Sequence, residues 1–172
     1  MTRFCPGFDM NDYRFVSFRT NDTLRYVSNN TTTIDSLILF VTDFYCDEPY
    51  EFTNYSISPD YDCETEAYYQ TNIINGISIW EHQQGYAIDV QLGSDLYSFS
   101  FTHYVNPHTD TIDSDHVYSQ DKIEVDGIEC FTHTITDLSG NRRFDSFTKI
   151  ESVGIIRFHD KKTGKEWKLL RD

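Results

Sequence analysis

Two clusters of acidic and imidazole side chains are the first residues in this chain that could do chemistry. His103, His108, Asp110, Asp113, Asp115 and His116 fall within fourteen positions, and imidazoles crowded with carboxylates can bind a divalent cation. Their spacing matches neither His-Glu-x-x-His nor the Asp-x-Asp-x-Asp-Gly calcium loop, so an ordinary polar loop explains them as well. Asp60, Asp62, Glu64 and Glu66 occupy alternate positions. On an extended chain they share one side. Calcium needs several hard oxygens of this kind, although a strand with an acidic outer face has the same pattern. The 28 Asp and Glu residues are too many for spacing to nominate a general-acid/base pair. No Gly-x-Ser-x-Gly elbow and no Gly-rich phosphate loop is present, so the residues point to no enzyme and imply no cofactor.

Aromatic side chains are the third candidate. Tyr45, Tyr50, Tyr55, Tyr61, Tyr68, Tyr69, Trp80 and Tyr86 crowd the first half of the chain. Tyrosine and tryptophan pair a flat apolar face with a polar tip, which suits stacking on a sugar or anchoring a protein. Tyr50, Tyr55 and Tyr61 lie in an irregular stretch and are the expected ligand contacts. The competing expectation is that the rings fill a core, and Trp80 and Trp167 read as core residues. Cys5, Cys46, Cys63 and Cys130 show no zinc-like pairing of two cysteines. Cys46 and Cys63 flank the same irregular stretch and are the first candidates for a disulfide, worth about 3 kcal/mol for a loop of that length. Four unpaired, buried thiols would serve equally well as small apolar side chains.

The elements that must position these residues are strands. Alanine occurs only at Ala67 and Ala87, Thr, Ser, Tyr, Phe and Ile are abundant, and no helical apolar stripe is found. Residues 86–92 alternate strictly, Gly93, Ser94 and Asp95 form a three-residue turn, and residues 97–103 alternate again: a hairpin with one apolar face. Further strands are expected at 23–28, 36–45, 65–71, 77–81, 122–125, 128–136, 144–150, 153–158 and 166–170. Asp126-Gly127 supplies a two-residue hairpin turn, and Gly164 another turn. Residues 36–45 are apolar on both faces, which predicts a strand covered on both sides. Residues 46–62 and 106–119 read as long loops. The expected fold is all-β, an antiparallel meander of about nine or ten strands closing as a barrel or a sandwich, with little or no helix. It forms one domain over residues 1–172, with residues 1–12 as a flexible tether.

At 172 residues such a domain buries roughly 70% of its extended surface, enough for a core without metals or disulfides. Its net charge of −14 argues against nucleic acid, whose affinity comes from Lys and Arg. No apolar run approaches the ~18 residues of a membrane-spanning helix. The charge is uneven: residues 141–172 hold 9 basic and 5 acidic side chains, against 5 and 23 in residues 1–140. The basic end either guards an edge strand in solvent or docks on something acidic, an outside partner or the acidic body of the domain itself. Residues 1–20 contain no apolar signal segment, which by itself points to the cytoplasm if Met1 is the native start. Asn-x-Ser/Thr sequons begin at Asn21, Asn29, Asn30 and Asn54, and Asp22-Thr23-Leu24, Asp35-Ser36-Leu37 and Asp110-Thr111-Ile112 have the form of an Asp-Ser/Thr-apolar O-glycosylation sequon.

The ending Val153-Gly154-Ile155-Ile156-Arg157-Phe158, followed by Asp160 to Trp167, resembles the closing hairpin of small Bacteroidetes surface lipoproteins of unknown function. The run from Lys122 to Gly127, and Asn21-Asp22-Thr23-Leu24 with Tyr26, are similar to that family too. The resemblance covers about a third of the chain and rests on hairpin and turn residues. It implies an exported, all-β, non-enzymatic domain held at the outer membrane or in the periplasm, with Cys5 as the lipid attachment position. The expected function is then binding or structural, toward an unidentified protein or glycan. The alternative is a β-barrel carrier of a small apolar or glycan ligand.

Overall fold

The computed structural model describes residues 20–29, 34–46, 50–51, 63–64, 66–84, 87–100, 108–111, 115–125, 127–150 and 153–170. They form fourteen strands and, among the described residues, no helix. The strands are β1 (Thr23–Asn29), β2 (Ile34–Cys46), β3 (Tyr50–Glu51), β4 (Cys63–Glu64), β5 (Glu66–Thr71), β6 (Ile79–Gln84) and β7 (Ala87–Leu92). The second half adds β8 (Asp95–Ser100), β9 (His108–Thr111), β10 (His116–Val125), β11 (Ile128–Asp137), β12 (Phe144–Ile150), β13 (Gly154–Asp160) and β14 (Lys165–Leu169).

Twelve of them make one antiparallel sheet in the order β8-β7-β6-β5-β2-β1-β14-β13-β12-β11-β10-β9, and β3 pairs with β4 separately. Sequence neighbours pair throughout except at two joins. β2 skips the separate β3–β4 pair to reach β5, and β1 meets β14, with Tyr26 opposite Leu169 and the Leu170 amide donating to the Arg25 carbonyl at 2.7 Å. Among the described residues, β8 and β9, consecutive in the numbering of the strands, are the two edges of the sheet. The sheet curls between them, and β2 serves two partners on the way. Its first half pairs with β1, and its second half pairs with β5 after a register shift between Val41 and Asp43. Such a bulge bends a strand and increases its twist.

Alternation decides what the curl encloses. Leu24 and Tyr26 on β1, Leu37, Leu39 and Val41 on β2, Ile88, Val90 and Leu92 on β7, and Tyr97 and Phe99 on β8 all point inward. They meet Phe144, Phe147, Ile155, Phe158 and Trp167 from the other arm. Tyr97 lies edge-on to Phe147 at 5.1 Å and Tyr26 edge-on to Phe158 at 5.2 Å, the offset geometry that ring quadrupoles favour. Each fully buried large apolar side chain contributes about 1.5–3 kcal/mol.

The turns follow local chemistry. Val125 faces Ile128 across the expected two-residue turn, and Gly127 has φ +80°. The β7–β8 turn is one residue tighter than its sequence suggests, because Leu92 pairs with Asp95 and only Gly93 and Ser94 lie between. Gly93 has φ +57°, and a Cβ there would stand 2.7 Å from the Gly76 carbonyl oxygen. The Asp160 carboxylate organises the β13–β14 turn. It accepts from the Lys162 amide at 3.1 Å and the Thr163 hydroxyl at 3.0 Å, and Arg143 grips it through Nε and Nη2 at 2.9 and 2.8 Å. Burial alone would raise the Asp160 pKa. Hydrogen bonds from Arg143 and Thr163, together with the Arg143 charge, outweigh burial and hold it below the usual carboxylate range.

Three expectations need correction. Residues 106–119 do not form one loop: β9 and the start of β10 lie within them. Polar residues are tolerated on these strands because they bond one another, across the ladder as Tyr118 does to His133 at 2.6 Å, or along the strand as Tyr118 does to Gln120 at 3.0 Å. β2 is not covered on both faces, since Ile38 is 41% and Phe40 48% exposed. Trp80 is not a core residue. Ile79 and Glu81 take the inner positions of β6, so Trp80 faces outward and is half-buried, while Trp167 is in the core.

Candidate functional site

The convex side of β5, β6 and β7 carries an ordered array of aromatic and polar side chains. Strand register lays it out. Tyr68, His82 and Asp89 stand side by side across the three strands, and Gln70, Trp80 and Gln91 form the next row. The Trp80 and His82 rings stack at 5.7 Å with 15° between their planes. His82 Nδ1 is 3.8 Å from Asp89 Oδ2, and the Tyr68 hydroxyl donates to Asp43 Oδ2 at 3.1 Å. Flat apolar rings thus alternate with carboxylates and amides on a rigid sheet. Such a surface can stack on the C–H face of a sugar ring and accept from its hydroxyls. Phe40 and Ile38 on β2 extend it with exposed apolar surface.

A second feature lies on the β8 side of the open seam. Leu96, Tyr97, Ser98 and Phe99 of β8, with His116, Ile135 and Arg142, line a partly open cleft of about 230 Å³. The Arg142 guanidinium sits 4.4 Å above the Tyr97 ring and donates to the Leu96 carbonyl. Behind it, the buried Asp137 carboxylate accepts from Ser139 Oγ at 2.8 Å and lies 3.7 Å from Arg142 Nε and 3.6 Å from His116 Nε2. Burial, then the nearby Asp95 charge, raises the Tyr97 pKa, so its hydroxyl stays protonated and donates to the Phe144 carbonyl. The cleft is smaller than the 300–1,000 Å³ typical of drug-sized ligands.

The third feature is the interior polar row. Gln120, His133 and Lys149 lie opposite one another on β10, β11 and β12. Glu81 reaches Lys149 from β6, and Tyr69 is register-paired with Glu81.

The residues singled out by sequence are scattered. Cys5, Tyr55, Asp60, Tyr61, Asp62, His103 and Asp113 lie outside the described residues. Glu64 and Cys63 are on β4, Tyr50 on β3, and Cys46 ends β2 opposite Ala67; their side chains lie outside the described set, and so does the proposed disulfide. His108 and Asp110 occupy β9 positions opposite Gln120 and Tyr118. Asp115 is exposed just before β10, and its carbonyl accepts from the Leu138 amide at 2.6 Å. His116 of the same cluster lines the cleft instead. Among the described residues no group of three or more His, Cys, Asp or Glu could hold a metal ion. Of the expected aromatic display, Tyr68 and Trp80 face outward and Tyr69 is buried.

Glu81 and Lys149 went unnoticed in the sequence, yet one signal was legible. Glu81 follows Ile77 and Ile79 at period two, the pattern that places it on the buried face. Lys149 follows Phe147 in the same way. The basic C-terminal segment docks partly on the acidic body: Arg142 lies near Asp137, Lys149 bonds Glu81, and Lys165 pairs with Asp35 at 2.7 Å.

No protein-family model matches the chain, and the search of curated proteins gives no significant match.

Proposed function

We propose that this domain is an exported, non-catalytic binding module that takes glycan chains on the outer face of β5, β6 and β7. The observation that carries the reading is the Trp80–His82 stack, facing outward between Gln70, Gln91 and Asp89. A tryptophan kept half-exposed on a sheet whose interior is filled by other rings has a ready use as a stacking platform. Titrating the full chain with a panel of neutral oligosaccharides, followed by chemical-shift mapping, tests it. The expected result is saturable shifts at Trp80, His82 and Tyr68, lost in Trp80→Ala with the spectrum of the core unchanged. Shifts confined to other faces, or none with any sugar, would refute it.

The cleft favours a second reading, a carrier of a small ligand. Its aromatic floor and single guanidinium suit a compact ring bearing one acidic or hydroxylated end. In that case shifts would gather at Tyr97, His116 and Arg142. Export and a lipid on Cys5 belong to the proposal through the resemblance of the C-terminal hairpin, and intact-mass analysis of the native protein from its source checks them.

A further inference from the structure

Lys149 and Glu81 face each other across the core. Lys149 is 0% exposed and Glu81 2%. Lys149 Nζ hydrogen-bonds Glu81 Oε1, and the two residues, 68 positions apart, sit on β12 and β6 in opposite arms of the curled sheet. An amine and a carboxyl group are therefore held in contact where water is excluded. Three further titratable side chains surround them. Tyr69 stands opposite Glu81 on β5, Tyr26 stands on β1 with its hydroxyl donating to the Ile155 carbonyl at 2.7 Å, and His133 stands opposite Lys149 on β11. Burial first, and then the Glu81 charge, raises the pKa of Tyr26 and of Tyr69. Both phenols consequently stay protonated and able to donate.

We propose that Lys149 and Glu81 are a cross-linking site, at which the amine and the carboxyl group condense to an intramolecular isopeptide bond joining β12 to β6. The atoms balance without a co-reactant. A proton passes from the Lys149 ammonium to a Glu81 oxygen. The freed Nζ lone pair attacks Cδ, forming the C–N bond. A second Nζ proton goes to the departing oxygen, the C–O bond breaks, and one water leaves. Nothing is oxidised or reduced. Tyr69 donates to the oxygen that gains charge as the tetrahedral centre forms, the role of a preorganised hydrogen-bond donor. Two things favour the reaction here. The fold pre-pays the entropy of bringing amine and carboxyl together, and a neutral amide replaces two buried charges whose desolvation is costly. The product would tie the two arms of the sheet covalently, independently of any ligand on the outer face.

Intact-mass spectrometry of the purified, reduced and denatured full chain tests this directly. The expected mass is one water below that of the sequence, with protease mapping giving a branched peptide that joins residues 81 and 149. Lys149→Met and Glu81→Ala should each carry the full mass for their sequence, and Tyr69→Phe should lose water more slowly over time. Wild-type protein that keeps its full mass after long incubation in the folded state overturns the proposal. So does a water loss that maps to a cyclised Asp126-Gly127 instead of to residues 81 and 149. Neither result requires any variant to fold.

Discussion

β6 shows two treatments of polar and aromatic side chains on one strand. Outward, Trp80 and His82 stack and remain half-exposed, with Gln and Asp neighbours within reach of solvent. Inward, Ile79 and Glu81 are sealed, and the single carboxylate is matched by a lysine from the opposite arm. The difference lies in what each group has to offset. On the outside an unpaired hydrogen-bonding group still has water, so the arrangement is free to serve a ligand. Inside, an unpaired charge costs several kcal/mol, so the arrangement must serve the fold before anything else. Asp137 and Asp160 follow the inner rule, each fully buried beside an arginine. The exposed pair Arg157–Glu166, at 3.5 Å, follows the outer one.

The largest break of this contrast should come from Glu81→Ala. It strands Lys149 in the core, and chemical denaturation should show a loss of about 3–5 kcal/mol. Combining Glu81→Leu with Lys149→Met should recover most of that loss relative to the uncondensed pair, because well-packed apolar replacements of buried ion pairs are often neutral. Gly93→Ala should cost about 1–3 kcal/mol, read as a lowered Tm, since it adds left-handed strain to a Cβ pressed against the Gly76 carbonyl. Asp160→Asn should cost about 1.5–3 kcal/mol near neutral pH through weakened charged hydrogen bonds. The pH dependence follows from the sign of the shift. Asp160 has a folded pKa below its unfolded value, so its contribution is complete above about pH 4 and fades as the pH falls through the folded value. Urea titrations of wild type and Asp160→Asn should therefore converge in acid. Trp80→Ala should change stability by only about 1 kcal/mol while abolishing binding on the outer face. Arg157→Ala should cost less than about 1 kcal/mol, and even that should diminish in high salt.

How much of this could be read beforehand varied with the kind of signal. The hairpins around Gly93, Gly127 and Gly164 were legible because turn chemistry and period-two alternation are local. The run from His116 to Ser119 was not, because polar residues there satisfy one another across strands that the sequence does not place side by side. Trp80 was misassigned on residue type, although the alternation of Ile79 and Glu81 around it already implied an outward position. The outer array was half visible: its aromatics were noted, but its rows of Tyr68–His82–Asp89 and Gln70–Trp80–Gln91 exist only through pairing register.

From the residues alone came the all-β class, the antiparallel hairpins and the apolar inner face, because strand geometry imposes a two-residue period and tight turns demand particular residues. The structure alone decided that β1 joins β14, that the seam opens between β8 and β9, and that Lys149 meets Glu81. The β1–β14 and Lys149–Glu81 contacts join residues far apart in the chain. They depend on how the twists of successive strands, with irregularities in the β2–β5 and β12–β13 pairings, add up over the sheet, a sum that no single stretch of sequence records.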